Sequence, residues 1–319
     1  MKILFHTNTL NFAGTTVAVL DYAKYNQEIL GNESVIIHTN DSHPYIKDMS
    51  NEPSAIENIK KQMEVRVCNG WNDYDLHTKD IDLCYFLRFG TKDYLPKNKK
   101  TAVHTVFHVK DPHGDAYAYV SPWLSKYASG YEIPYVPHIV QMPTPTNNYR
   151  KKLGIANDKI IIAKFGSYNS FDIQFAIGSV INAVTAKNDL YFVFVNSPKF
   201  INHPRVIFLD EIIDLQEKSN FINSCDAMIH ARSPGETFGL AVCEFLFHNK
   251  PVIAHNSGSM GRHHIDMLCD TGLLYNNEDE LLVRLLSVQR HHSNDYTKIV
   301  QPFSPSMVMQ KFKKIFIGD

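Results

Sequence analysis

Residues 230–244 read HARSPGETFGLAVCE and carry two carboxylates, Glu236 and Glu244, eight positions apart. The second lies inside an otherwise apolar run, GLAVCEFLF. DAMIHA, just upstream, has the short apolar composition of a buried strand, and GLAVCEFLFHN that of a helix. RSPGETF is then a strand-to-helix loop, with Glu236 just ahead of the helix and Glu244 about one and a half turns into it. A carboxylate before a helix suits the helix dipole. A carboxylate among Leu240, Ala241, Phe247 and His248 must face solvent or find a specific polar partner, a core His or Arg or a bound group, because an unpaired buried charge is costly.

The same alternation runs outward in both directions. In the first half KILFHTN reads as a strand, followed by a loop containing Gly14 and a helix from about Thr15 to Leu30 that Gly31 and Asn32 stop. SVIIHTN, VRVCN, IDLCYFL, TAVHTVFHV and YVPHIVQMP are further strand candidates. From Gln141 the chain reads QMPTPTNNYRKKLG, and Pro143, Pro145 and the Asn147–Asn148 pair mark a linker. Beyond it KIIIAKFG, LYFVFVN, RVIFLD, DAMIHA and PVIAHN alternate with helical FDIQFAIGSVINAV, LQEKSNFINSC and GLAVCEFLFHN. Strands alternating with helices predict parallel sheets with covered faces. Two successive α/β units, 1–146 and 150–302, would leave a cleft between them. SPSMVMQKFKKIFIGD places Met307, Val308, Phe312, Ile315 and Phe316 at amphipathic-helix spacing, and this helix (303–319) is expected to complete the first unit.

The totals agree with two domains of about 150 residues each in a chain of 319. A formal net charge of -1 offers no reason to expect nucleic acid as a partner. The five cysteines, Cys68, Cys84, Cys225, Cys243 and Cys269, never form a CxxC pair, which suits thiols in a reducing compartment. MKILFHTNTL lacks a signal peptide's apolar core, and no stretch approaches the roughly 18 apolar residues of a membrane span. A cytoplasmic location is expected, and peripheral contact with a membrane stays open.

In parallel sheets ligands sit beyond the carboxyl ends of strands, near helix N-termini. The loops to search are therefore NTLNFAGTT, HVKDPHGD, FGSYNSFD, HARSPGETFG and HNSGSMGRHH.

GETFGLAVCEFLFHNKPVIAHNSGS resembles the Glu-x7-Glu segment of the retaining nucleotide-sugar glycosyltransferases of the GT-B fold, family 4. In that family a Glu-Phe-Gly-Leu block leads into a helix, a Gly or Asn turn, Pro-Val-Ile and a second glycine loop. The order of RKKLGI, KIIIAKFG, RVIFLD and DAMIHARSPGE is also similar, so the resemblance covers most of 150–290, and the first half mainly in element order. It implies two Rossmann-like domains, the first on the acceptor side and the second on the donor side. By resemblance Glu236 would bind donor-sugar hydroxyls and Glu244 the ribose, both fitting tasks for a carboxylate. Backbone N–H groups of Thr237, Phe238, Gly239 and Leu240, opening a helix, would suit a diphosphate.

The family usually carries an Arg and a Lys in the loop after the first strand of the second domain, both gripping diphosphate. In FGSYNSFD the corresponding positions after Gly166 are Ser167 and Asp172, so both cations are absent. Arg232, four residues before Glu236, and Arg262 in GSMGRHH are candidates to replace them, whereas Lys164, inside a strand, reads as structural. Gly14 with Thr15 resembles the family's first glycine loop. His108 stands where the family often has a strand-end histidine facing the reaction centre, with His104 four residues earlier in the same strand and on the same face. The pairs His263–His264 and His291–His292 diverge as neighbours do, and neither reads as a metal site.

The resemblance thus implies transfer of a sugar from a UDP- or GDP-linked donor to a glycan, glycolipid or glycoprotein acceptor, without cofactor or metal. The chain has no HExxH. The missing cations motivate a second reading, a GT-B protein that binds a sugar nucleotide or a partner without turnover. A third is another enzyme of the fold, an epimerase or a phosphorylase. The absence of GxGxxG after the first strand argues against a dinucleotide oxidoreductase.

Overall fold

A computed structural model of the chain describes residues 1–11, 14–40 and 51–318. The chain forms two compact units, Met1–Ile139 with Phe303–Asp319, and Val140–Pro302.

In the first unit β1 (Lys2–Thr7), β2 (Glu33–Thr39), β3 (Glu64–Cys68), β4 (Leu83–Arg88), β5 (Lys100–Thr105) and β6 (Ala116–Tyr119) form one sheet in the order β3-β2-β1-β4-β5-β6. Every pairing is parallel. Consecutive residues such as Val35, Ile36 and Ile37 are fully buried, because helices cover both faces. The helices are α1 (Gly14–Glu28), α2 (Pro53–Lys60), the short α3 (Trp71–Tyr74) and α4 (Pro122–Ser129). Helix α4 has clear local signals: the Ser121 hydroxyl accepts from Leu124 N, Pro122 opens the first turn, and Gly130 closes it at φ 60°. The C-terminal helix Pro305–Phe312 belongs to this unit. Its Phe312 ring stacks 5.4 Å from Tyr22, and Phe316, in the π turn that follows, lies 5.5 Å from Tyr85. Met307, predicted on the apolar face, is half exposed instead.

Two strand expectations need correction. TAVHTVFHV does not stay extended to His108: β5 ends at Thr105, whose hydroxyl donates to the carbonyls of Phe89 and Phe107 and turns the chain. YVPHIVQMP is not a strand either. Only Tyr135 forms a bridge, to Tyr119, and Pro134 and Pro137 lack the N–H groups that a ladder requires. The sheet's edge is β6 instead, a four-residue segment too short for its period to show in the sequence.

In the second unit β7 (Ile160–Lys164), β8 (Leu190–Val195), β9 (Val206–Leu209), β10 (Ala227–His230), β12 (Val252–His255) and β14 (Leu274–Tyr275) form a parallel sheet in the order β14-β12-β10-β7-β8-β9. Two-residue strands β11 (Gly235–Glu236) and β13 (Gly261–Arg262) pair separately. The helices are α5 (Tyr149–Leu153), α6 (Gln174–Ala186), α7 (Leu215–Ser224), α8 (Leu240–Phe247), α9 (His263–Leu268), α10 (Glu278–Ser287) and α11 (Thr297–Val300). The core on one face joins Ile162, Phe192 and Ile229 from the sheet to Val180 and Leu285 from α6 and α10.

Both sheets follow one winding: the first strand is central, the chain steps out to one edge, then returns to the other side of the first strand. The direction reverses between β1 and β4 in the first unit and between β7 and β10 in the second, the places where open α/β sheets hold ligands. At the opposite end of β10 a buried ion pair ties the unit together. Asp226 Oδ2 accepts from Arg150 (2.6 Å) and from Ile161 N (2.7 Å), joining α5, β7 and β10. Asp226→Asn would leave Arg150, which is 3% exposed, without a counter-charge. Urea unfolding is expected to show a loss of about 3–5 kcal/mol in the second unit.

Candidate functional site

The two loops at the β7/β10 reversal are FGSYNSFD and HARSPGETFG, and the chain locks them to each other. Phe171 bridges Ala231, Asp172 N donates to Ala231 O, and Asp172 Oδ1 accepts from Ser233 N at 2.7 Å. Asp172, the residue standing where the family resemblance expects a lysine, is therefore a loop fastener. Gly166, at φ 138°, turns the chain out of β7. Beneath this turn Lys164 is 1% exposed and gives its three N–H groups to the carbonyls of Ser167, Val195 and Asn196. Burial lowers its pKa to about 8, and its role is structural, holding the loop from inside.

The loop after β10 also rests on the loop after β12. Gly235 has φ 71°, and a Cβ there would fall on the Gly261 carbonyl and within 2.8 Å of Gly258 Cα. Only glycines allow this approach, which pairs Gly235 with Gly261 and Glu236 with Arg262. Arg262 itself is exposed and makes no ion pair among the described residues.

Glu236 is held from two sides. Its Oε1 lies 3.2 Å from His230 Nε2 and its Oε2 accepts from Arg232 at 2.8 Å. A carboxylate only accepts, so the proton on His230 is assigned to Nε2, leaving the buried Nδ1 without a partner. Burial pushes the Glu236 pKa up, but the hydrogen bond and electrostatic attraction of His230, followed by the charge and hydrogen bond of Arg232, outweigh it and hold the carboxyl at about 2. Glu236 is thus an anion at neutral pH and not a proton donor. The His264 ring lies 4.8 Å from that of His230, and burial keeps its pKa well below the ordinary value. His263 Nδ1 is bound to the Phe238 carbonyl.

Glu244 is 6% exposed, on the second turn of α8. Its Oε1 contacts the ammonium of Lys218 on α7, and its Oε2 is buried without a hydrogen-bond partner. The buried carboxylate in GLAVCEFLF therefore has a cation on one oxygen and none on the other. Helix α8 starts after Gly239 at φ 91°, and Thr237, Phe238, Gly239 and Leu240 lead into it from Glu236. The first N–H groups of such a helix have no carbonyl within the helix.

The structure thus gathers Glu236, Arg232, Thr237, Phe238, Gly239, Leu240 and Arg262 around two interlocked loops, with Gly166 and Ser167 in the loop fastened to them and Glu244 in the following helix. Gly14 and His108 belong to the first unit. Gly14 opens α1, while Phe12 and Ala13 of NFAGTT lie outside the described residues. His108 is exposed beyond the end of β5 and meets Tyr127 edge-on at 5.9 Å. His104 does not accompany it: it is fully buried, bound to Tyr85 and to the carbonyls of Tyr119 and Val136, with burial lowering its pKa to about 3. His230 and Lys218 were not foreseen. Lys218 looks like a solvated helix lysine in LQEKSN, and the only sequence-level hint was that Glu244 needed a partner. Among the described residues no cluster of His, Cys, Asp and Glu could hold a metal.

No family model and no curated protein sequence matches the chain. Solved structures do. Anabaena HepE in complex with UDP-glucose superposes with a TM-score of 0.71 at 13% identity, over 98% of each chain. S. aureus TarM, in a complex that includes UDP, gives 0.71 at 9% identity over 99% of each chain. Sucrose-phosphate synthase from Thermosynechococcus elongatus gives 0.64 at 13% identity over all of both chains. The chain has the GT-B fold of these glycosyltransferases.

Two expectations follow for this site. Gly235→Ala forces a side chain into Gly261 and a strained φ, and should cost roughly 1–3 kcal/mol in thermal or urea unfolding. Because the Glu236 pKa falls from 4.5 to about 2, its contribution to stability is complete above about pH 4.5 and is lost as pH drops toward 2. The stability gap between wild type and Glu236→Gln should close over that window.

Proposed function

We propose that this chain is a glycosyltransferase that moves a sugar from a nucleotide-diphosphate donor to a hydroxyl acceptor, with retention and without a metal or other cofactor. One observation carries the reading: on a single strand–loop–helix unit, an ionised Glu236 sits just ahead of α8 and a buried Glu244 with an unpartnered oxygen sits inside it. A sugar and a ribose offer hydroxyl donors of the kind such carboxylates need. The start of α8, between the two, suits the diphosphate.

The reaction breaks the bond between the sugar's anomeric carbon and a phosphate oxygen while positive charge grows on the sugar. The protein's task is to hold the leaving diphosphate and place the acceptor hydroxyl. Glu236, charged at neutral pH, fits a role in binding sugar hydroxyls and opposing that positive charge, and not general acid catalysis. The complexes of HepE with UDP-glucose and of TarM with UDP support a uridine donor, and GDP-sugars remain the alternative. His108, with Glu236, is proposed as a catalytic residue, and Gly14 as a donor-binding position whose backbone approaches the ligand. The acceptor is a glycan, glycolipid or glycoprotein. No helix among the described residues is long and apolar enough to cross a membrane.

A second reading, a sugar-nucleotide-binding protein without turnover, draws on Ser167 and on Asp172, whose carboxylate serves Ser233 where the resemblance expects a cation.

Melting curves with UDP-, GDP-, ADP- and dTDP-sugars, with and without magnesium, test the proposal. One donor should raise the melting temperature without metal. Glu244→Ala should then weaken nucleotide binding by about tenfold or more, whereas Glu236→Ala should mainly lower turnover. No shift with any donor at millimolar concentration would remove the reading. Saturable binding with neither transfer nor donor hydrolysis would favour the non-catalytic one.

A further inference from the structure

We propose that Lys218 is a further donor-binding residue, whose ammonium pairs with Glu244 and turns to the donor's phosphates when a nucleotide diphosphate binds. This rests on the nucleotide-sugar reading above and assigns the cation that FGSYNSFD lacks.

Glu244 is 6% exposed, Lys218 covers Oε1, and Oε2 is buried, so a ribose hydroxyl reaches this carboxylate only if the ammonium shares it or leaves. An ammonium that leaves a carboxylate needs another anion within the reach of its stem. The Lys218 nitrogen already lies 5.0 Å from the ring centre of Phe165, the residue directly before Gly166. Phe165 leads from β7 into the loop FGSYNSFD, and its ring attracts the ammonium without fixing it.

Arg262 is exposed and makes no ion pair among the described residues, on the loop after β12, but the cations nearer the loop after β7 are committed. Arg232 is bound to Glu236, and all three N–H groups of Lys164 go to carbonyls beneath the loop. Lys218 has three donors and makes one hydrogen bond among the described residues, to Glu244, so two donors are free for phosphate oxygens. The pair is also matched in charge to the ligand. Paired with Glu244, the lysine cancels the carboxylate; with a nucleotide diphosphate bound, ribose hydroxyls would satisfy the carboxylate while the lysine meets the diphosphate. Lys218 therefore couples recognition of the ribose to recognition of the phosphates.

The test compares uridine with UDP, by calorimetry, on wild type, Lys218→Met and Lys218→Arg. If the melting panel favours guanine, the pair is guanosine and GDP. Lys218→Met should weaken UDP by about tenfold or more, the scale of a lost charge-assisted hydrogen bond, and leave uridine unchanged or tighter. Lys218→Arg should keep UDP affinity near that of wild type. Equal weakening of both ligands would mean that Lys218 only positions Glu244, and unchanged UDP affinity would mean that it does nothing for the donor; either result overturns the inference. Wild type that binds neither ligand would instead remove the nucleotide reading itself. Melting curves check that each variant folds, and Lys218→Gln takes over the comparison if the methionine variant does not.

Discussion

Three carboxylates lie along one strand–loop–helix segment of the second unit, and each sits in a place largely shut off from water beside a basic partner. Asp226 precedes β10 and rests on Arg150, Glu236 follows β10 and rests on His230 and Arg232, and Glu244 sits in α8 against Lys218. Burying charge is unfavourable unless a partner of opposite sign and enough hydrogen bonds come with it. That requirement ties α5 to the start of β10, joins Arg232 to Glu236 within one loop and sets α7 beside α8. The pairs differ in completeness. Asp226 is engaged on both oxygens, by Arg150 and Ile161 N on one and Arg290 on the other, which suits a fixed structural part. Glu244 keeps one oxygen unsatisfied, and buried polar atoms left in that condition are where a ligand has something to supply.

The loops impose the second constraint. Where β7 and β10 run side by side, their trailing loops are fastened by Asp172 to Ser233, and glycine contact brings in the loop after β12. A site made of backbone approach tolerates few side chains at the contact, so its precision depends on Gly235 and Gly261 as much as on the charged residues. Lys164 does the same work from below, fixing the first turn after β7 through carbonyls rather than through any ligand-facing group.

The parallel sheets were legible because their strands, KIIIAKFG or SVIIHTN, are continuous apolar runs between helical patterns. The glutamates were legible because Glu244 interrupts such a run. What stayed hidden depended on partners distant in sequence. Lys218 lies 26 positions before Glu244, and nothing in LQEKSN separates it from a solvated lysine. The end of β5 was missed because Thr105 turns the chain through its hydroxyl, a bond to carbonyls that no period reveals. In YVPHIVQMP the apolar residues have the composition of a strand, but its prolines remove the donors, so composition outvoted hydrogen-bond bookkeeping.

The first unit is built from two separated pieces of chain, with the whole second unit between them. Phe312 and Phe316, which close over Tyr22, Tyr85 and His104, therefore leave the ribosome only after the second unit has been made. Domains usually mature in the order of synthesis. Here the piece made first has to wait with an uncovered aromatic surface, while the piece made second is contiguous and can close on its own. The order of birth and the order of completion are reversed, and the delay before that aromatic surface is covered is set by the length of the second unit.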